Sequence, residues 1–324
     1  MGDAATAKTS VAKSKKPTRD GFGEGLRELG NLRPEVVAVS GDLGDSTRAK
    51  WFGDEHPERF FEVGIAEQNL VSTAAGLALT GKIPFANSFS AFITGRAWEQ
   101  IRISVCYMDA NVKIVGSHGG LSVGPDGATA EALEDIAAMR ILPRMTVIVP
   151  CDAEQARAAT LALGDHVGPA YLRCGRAPVP VLTNPETEFE IGKARLAREG
   201  EDLTLVACGV TVYFALLAAE VLSREGIEAR VLDMHTIKPL DTKALAAAAE
   251  ETGALLSVEE HTIHGGLGGA IAEWLAQNAN VPFKIMGVPD KFGQSGEFEE
   301  LVEVYGLGPD SIAKEARKIC ARKG

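Results

Sequence analysis

Phe60-Phe61-Glu62-Val63-Gly64-Ile65-Ala66-Glu67-Gln68-Asn69 is the stretch from which the fold can be read. Residues 60–63 are a short apolar run with the character of a strand end, and Gly64 permits a turn. Residues 66–79 (AEQNLVSTAAGLAL) predict a helix of small and apolar residues, buried on most sides. Glu67 then falls in the first helical turn. There it can complement the helix dipole and cap free N–H groups. It can also serve as a carboxylate in an apolar wall that shares a proton with a bound ring nitrogen.

Outward from this stretch, the same strand–turn–helix unit recurs. Upstream, residues 20–32 predict a helix and 36–40 (VVAVS) a strand, followed by the loop 41–46. Downstream, strands are expected at 83–88, 112–116, 146–149 and 170–173, and helices at 91–108, 131–141 and 153–163. Short strands alternating with helices imply an α/β fold with a mainly parallel, doubly wound sheet. Ligands of such sheets bind beyond the carboxyl ends of the strands. Those ends carry Asp42, Glu67, Phe89, His118 and Arg176. Residues 177–193, rich in Pro and acidic residues, break the pattern, and a second alternating unit follows. The expected organisation is a basic tail (1–19), a first domain (20–178), a linker (179–195) and a smaller α/β domain (196–324).

The length of 324 residues fits two domains. No apolar run approaches the roughly 20 residues of a membrane span. Residues 1–19 lack the apolar core of a secretory signal and read as a disordered basic arm. The net charge of −11 includes +4 from that arm, leaving an acidic body that argues against nucleic-acid or anionic-membrane partners. The five cysteines (Cys106, Cys151, Cys174, Cys208, Cys320) show no Cys-x-x-Cys spacing and read as reduced residues of a cytoplasmic protein.

Several motifs bear on chemistry. Phe89 and Phe92 share one face, either as core or as a wall for a flat heterocycle. Residues 118–127 contain four glycines together with His118, Pro125 and Asp126. Glycine lets backbone N–H groups approach a ligand, but no Lys follows as in a P-loop. His264-Gly265-Gly266-Leu267-Gly268-Gly269 lacks the acidic partner of a dinucleotide loop and reads as close packing at a helix start. His261 and His264 lack a visible third ligand for a metal. Arg173 and Arg176 end a strand at the ligand edge, where one of them could clamp a phosphate.

Taken together, Ser40-Gly41-Asp42-Leu43, Gly64-Ile65-Ala66-Glu67-Gln68, Phe89-Ser90-Ala91-Phe92, the run Ser117 to Thr129 (SHGGLSVGPDGAT) and Cys174-Gly175-Arg176 resemble the C-terminal half of transketolase. Residues 231–240 (VLDMHTIKPL) resemble that family's C-terminal domain. The resemblance implies a thiamine-diphosphate-dependent transfer of a two-carbon ketol unit between sugar phosphates. It casts Glu67 as the carboxylate on the cofactor's aminopyrimidine and Phe89 and Phe92 as that ring's aromatic wall. Leu43, Ile65 and Asp42 would lie at the cofactor, and Ser46, His118, Asp126 and Arg176 at the sugar phosphate. His118 is counted with Glu67 as catalytic. Two departures stand out: family members commonly carry a His where this chain has Ala130, and the Gly-Asp-Gly diphosphate–Mg²⁺ motif has no counterpart. The resemblance therefore implies a split enzyme whose partner subunit supplies the Mg²⁺ ligands, assembled with twofold symmetry as a heterotetramer. Other readings are a β subunit of a 2-oxoacid dehydrogenase, a relative of deoxyxylulose-phosphate synthase, and a non-catalytic regulatory subunit.

Overall fold

The structure is a computed structural model that describes residues 14–323. Among these residues the larger sheet has seven strands, in the order Thr236–Lys238, Thr146–Ile148, Ala170–Arg173, Lys113–Ser117, Ile83–Phe89, Val36–Ser40 and Phe60–Glu62. All neighbours run parallel except the Thr236–Lys238 edge strand, which is antiparallel to Thr146–Ile148. Val36–Ser40, Lys113–Ser117 and Ala170–Arg173 are buried along their whole length. That is the state expected of a parallel sheet covered on both faces. The second sheet runs Phe283–Val288, Leu255–Thr262, Leu203–Ala207, Ala229–Asp233 and Arg195–Arg198, with only the last antiparallel to its neighbour.

The expected domain boundaries shift in two places. Lys15–Lys16 pairs antiparallel with Val179–Pro180, and the helix Thr18–Leu32 begins ahead of Arg19. Residues 14–19 thus belong to the folded body, and the disorder expected for 1–13 lies outside the described residues. The Thr236–Lys238 strand comes from the second unit in sequence but completes the first unit's sheet. The two units also share a core, in which Leu70, Ile101 and Ile114 cluster with Leu245, Leu255 and Ile271.

Local sequence explains the close packing beneath the sheet. The Thr18–Leu32 helix contains Gly21 and Gly25, which cost helix stability when nothing offsets them. Here a Cβ on Gly21 would lie 1.9 Å from Ala153 O, and one on Gly25 2.8 Å from the Thr160 Cβ. The glycines let this helix seat directly against Ala153–Asp165. Asp152 caps that second helix at Gln155 N–H (2.8 Å) and also accepts from the N–H groups of Leu182 and Thr183, tying down the inter-unit linker.

Two helices differ from expectation. The helix Glu67–Leu79 buries Leu70, Val71, Ala74 and Ala75, but Gln68, Asn69, Ser72, Gly76 and Leu79 are exposed. The helix thus has one buried apolar face and one open face that carries Gln68, Asn69 and the exposed Leu79. The helix expected over 91–108 is divided into Ser90–Arg96, Trp98–Gln100 and a π-helical segment Ile101–Tyr107.

Arg173 joins the two units. Its guanidinium is 3 % exposed and donates to Asp135 Oδ2 (2.8 Å), Glu260 Oε1 (3.2 Å), Ala132 O and Glu260 O (3.1 Å each). Tyr171 Oη donates to the same Asp135 oxygen at 2.5 Å. Burial pushes the Glu260 carboxyl up to about 7, while Arg173 and the Ser122 N–H pull it down. Removing one partner of a buried ionic network leaves the others uncompensated. Arg173→Met is thus expected to cost about 3–5 kcal/mol in urea unfolding. A loss below about 1 kcal/mol, the range of exposed pairs, would remove Arg173 from this role.

Candidate functional site

The carboxyl edge of the larger sheet gathers the residues singled out in the sequence. Val36–Ser40 leads to Asp42, Ile83–Phe89 ends on Phe89, Lys113–Ser117 leads to His118, and Ala170–Arg173 leads to Arg176. Asp42 (φ 63°) and His118 (φ 58°) both adopt the left-handed region, unusual for non-glycine residues. Such strain persists only where the surroundings enforce it, and it clusters at functional sites. Gly64 (φ 75°) makes the turn before Glu67, and open space surrounds its Cβ position, so backbone conformation alone calls for glycine.

Glu67 is 4 % exposed. The partner of its carboxylate is a side chain and not a helix N–H: Arg96 Nη1 donates to Oε1 at 3.1 Å. Arg96 lies four residues after Phe92, on the same helix face, and its guanidinium carbon sits 4.5 Å from the Phe92 ring centroid. Phe92 stacks on Phe89 (5.5 Å, 25° between planes), and Phe89 stacks on the His118 imidazole (3.8 Å, 22°). The half-buried Phe pair thus belongs to a stack of Arg96, Phe92, Phe89 and His118. It reaches from the buried carboxylate to the glycine-rich loop.

At the His118 end lies a cluster of cations. Arg19 Nη1 meets His118 Nε2 (3.1 Å) and donates to Ser46 O (3.0 Å). Arginine can only donate, so Nε2 accepts and the imidazole proton sits on Nδ1, facing Ser117 Oγ at 2.8 Å. Burial and the charges of Arg19, Arg176 and Arg48 drive the His118 pKa down to about 3. The same crowding, with burial leading, lowers the Arg19 pKa. Arg176 donates to Val123 O (2.6 Å) and lies 3.6 Å from Asp126. Arg19 Nε is buried without a partner. Converging cations with an unpaired buried donor suit an oxyanion such as a phosphate.

The glycine-rich loop is held from below. It includes the short 3₁₀ segment Gly120–Asp126. A Cβ on Gly119 would meet Arg173 Nε at 2.6 Å, and one on Gly120 would meet the Glu260 carboxyl at 2.4 Å. Glu260 Oε2 accepts the Ser122 N–H at 3.1 Å. These glycines make room for the Arg173–Glu260 pair, and not for a ligand. Arg173 is accordingly a buried structural group, and of the two arginines only Arg176 reaches the cation cluster.

The remaining candidates are more peripheral. Asp42 is exposed, its N–H fixed by Glu62 Oε1 (2.6 Å), which also accepts the Gly64 N–H (3.1 Å). Leu43 is half-buried, Ile65 is 75 % exposed, and Ala130 is buried. The His264–Gly269 turn holds a helix start: Glu259 accepts the Leu267 and Gly268 N–H groups at 2.8 Å each, in the place a phosphate would need. His261 is buried, with Nε2 accepting the Ala137 N–H. Among the described residues no group of three or more His, Cys, Asp or Glu is placed to hold a metal ion. No helix of the described residues is long and apolar enough to cross a membrane.

Sequence reasoning missed Arg19, Arg96 and Glu62. Arg19 follows a run of lysines from which nothing local separates it. Arg96 was legible only as the residue four after Phe92. Glu62 is the exposed end of a strand, and its role emerges only when the two loops are seen together.

Residues 14–180 match the transketolase pyrimidine-binding domain and residues 192–312 the transketolase C-terminal domain. The chain is 46 % identical over 302 residues to a putative transketolase C-terminal section of Methanocaldococcus jannaschii, covering 92 % of this chain and 95 % of that protein. It is 44 % identical over 299 residues to one of the subunits of an apulose-4-phosphate transketolase of Phocaeicola vulgatus, covering 92 % and 96 %. A solved structure described as a split-gene transketolase, inactive beta4 tetramer, superposes with a TM-score of 0.89 at 44 % identity, over 95 % of this chain and 99 % of that one. With both domains matched in order, the chain belongs to the transketolase family and carries its pyrimidine-binding and C-terminal domains.

Proposed function

We propose that this chain is the C-terminal subunit of a split, thiamine-diphosphate-dependent transketolase acting on sugar phosphates. The observation that carries the reading is the buried Glu67 carboxylate beside the half-buried Phe92–Phe89 pair, linked through His118 to a cation cluster. The donor set fits the cofactor's aromatic end, since a carboxylate in an apolar wall can hold a ring nitrogen and govern its protonation. When bound, thiamine diphosphate supplies the electron sink for cleaving and forming the carbon–carbon bond next to the ketone. Glu67 would hold the aminopyrimidine and share its proton. Leu43, Ile65 and Asp42 would line the approach. Arg19, Ser46, His118 and Arg176 would grip the substrate phosphate, with Asp126 orienting Arg176. His118, kept neutral by burial and by its cationic neighbours, has Nε2 engaged by Arg19; a phosphate that drew Arg19 away would free that lone pair to accept a hydrogen bond from a substrate hydroxyl.

Mg²⁺ and the diphosphate need clustered oxygen ligands. We assign these to an N-terminal partner subunit, whose docking would cover Ile65 and the open face of Glu67–Leu79. The names of the related proteins and the inactive beta4 tetramer support a requirement for such a partner. The sugar-phosphate class rests on the cation cluster and on the apulose-4-phosphate relative.

Three outcomes test the reading. Glu67→Gln in the assembled enzyme should lower turnover by about 10²–10⁴, the usual worth of general acid–base catalysis, with urea stability retained. Wild-type turnover would refute Glu67's role. Arg19→Ala and Arg176→Ala should each raise the Michaelis constant of a phosphorylated donor roughly ten- to a hundredfold, as for loss of a charge-assisted contact. Hydroxypyruvate, which has no phosphate, should be little affected, and equal losses for both donors would make these arginines structural. The purified chain with cofactor and Mg²⁺ should show no ketol transfer until the partner subunit is mixed in. Full activity from the chain by itself would overturn the split assignment.

A further inference from the structure

We propose that Arg96 is a resident competitor for the aminopyrimidine seat. Its guanidinium holds the hydrogen bond and the ring face that the cofactor must take over. The proposal rests on Glu67 and Phe92 being that seat, and it adds a residue and a direction of effect.

Two independent contacts carry it. Arg96 Nη1 donates to Glu67 Oε1 at 3.1 Å. The same guanidinium lies over the Phe92 ring, its carbon 4.5 Å from the centroid. A guanidinium is planar, cationic and edged with N–H donors. A protonated aminopyrimidine has the same properties: it is flat, presents N–H donors at one edge and stacks on an aromatic face. Each satisfies a buried carboxylate beside a phenyl ring. Both cannot hold Glu67 Oε1 and this part of Phe92 at once. Phe89 offers no ready alternative, since it already stacks on His118 at 3.8 Å.

The local structure allows exchange. Arg96 ends the Ser90–Arg96 helix, and Ala97 breaks from helical geometry (φ −104°, ψ 15°). The Arg96 side chain is 55 % exposed, against 4 % for Glu67. The guanidinium can therefore swing into water, whereas the carboxylate cannot. While Arg96 is in place, Glu67 is spared the cost of a buried charge without a partner. Arg96 thus partners the buried carboxylate when no cofactor is bound, and the cofactor's ring would bind at the expense of that contact.

The test uses wild type, Arg96→Met and Arg96→Gln, each assembled with the N-terminal subunit. Thiamine diphosphate affinity is measured calorimetrically with Mg²⁺ present, and the urea midpoint of each chain is measured without cofactor. Competition predicts that both variants bind cofactor about fivefold more tightly, the order supplied by a partly exposed ion pair and a cation–π contact together. It also predicts a lower urea midpoint for the chain. Arg96→Gln keeps a polar side chain and guards against a failure of Arg96→Met to fold. Unchanged or weaker cofactor binding in the variant that assembles would overturn the proposal, because Arg96 would then be neutral or would help to hold the ring. Glu67→Gln separates the parent reading: if it binds cofactor and turns over like wild type, the seat itself is misassigned, whatever the Arg96 variants do.

Discussion

A buried ionic knot between the two units, Arg173 with Asp135 and Glu260, is the constraint on which the site depends. Arg173 ends a strand of the first sheet, Asp135 begins the helix after the glycine-rich loop, and Glu260 belongs to the Leu255–Thr262 strand of the second sheet. Each charge is buried, and so each must find its partner before water is excluded. Glu260 reaches past Gly120 to the Ser122 N–H, and Arg173 fills the space beside Gly119. The loop that presents His118 is therefore clamped by the domain interface, and its strained backbone is held by packing elsewhere.

The same interface explains why the second unit accompanies the first. It supplies the Thr236–Lys238 edge strand and 13 of the 34 buried residues of the shared core. It also supplies Asp233, which accepts from Gln155 Nε2 (2.7 Å) and Arg195 Nε (3.0 Å). The candidate site residues lie on the first unit, but their loop geometry is enforced from the second. A C-terminal domain with no candidate ligand contact of its own can thus still determine how the site is shaped.

Electrostatics divide the site into two parts. At one end a buried carboxylate is balanced by one half-exposed guanidinium. At the other, burial keeps an imidazole neutral, helped by the charges of Arg19, Arg176 and Arg48. The stacked Phe pair separates the negative from the positive end. A ligand with a basic ring at one end and a phosphate near the other would find complementary charge at both.

Sequence alone determined the alternation of strands and helices, the parallel sheet, and the placement of Asp42, Glu67, Phe89, His118 and Arg176 at one sheet edge. These follow from periodicity and from the short reach of strand–turn–helix units, which are local properties. The turn at Gly64 and the pairing of Phe89 with Phe92 are equally local. What only the tertiary structure decided were contacts between residues far apart in the chain. Arg19 meets Ser46 and His118, Glu67 meets Arg96, and Arg173 meets Glu260. The purpose of the glycines at 119 and 120 is hidden from the sequence for the same reason: the side chains that fill their space come from residues 173 and 260. Burial then assigned roles to residues of like type. Arg173 and Arg176 are chemically identical and three positions apart, yet one is locked in the interface and the other reaches the cation cluster. Arg173 ends the strand where Glu260 of the second domain reaches it, whereas Arg176 lies in the bend beyond, and that partner is not visible in the local sequence.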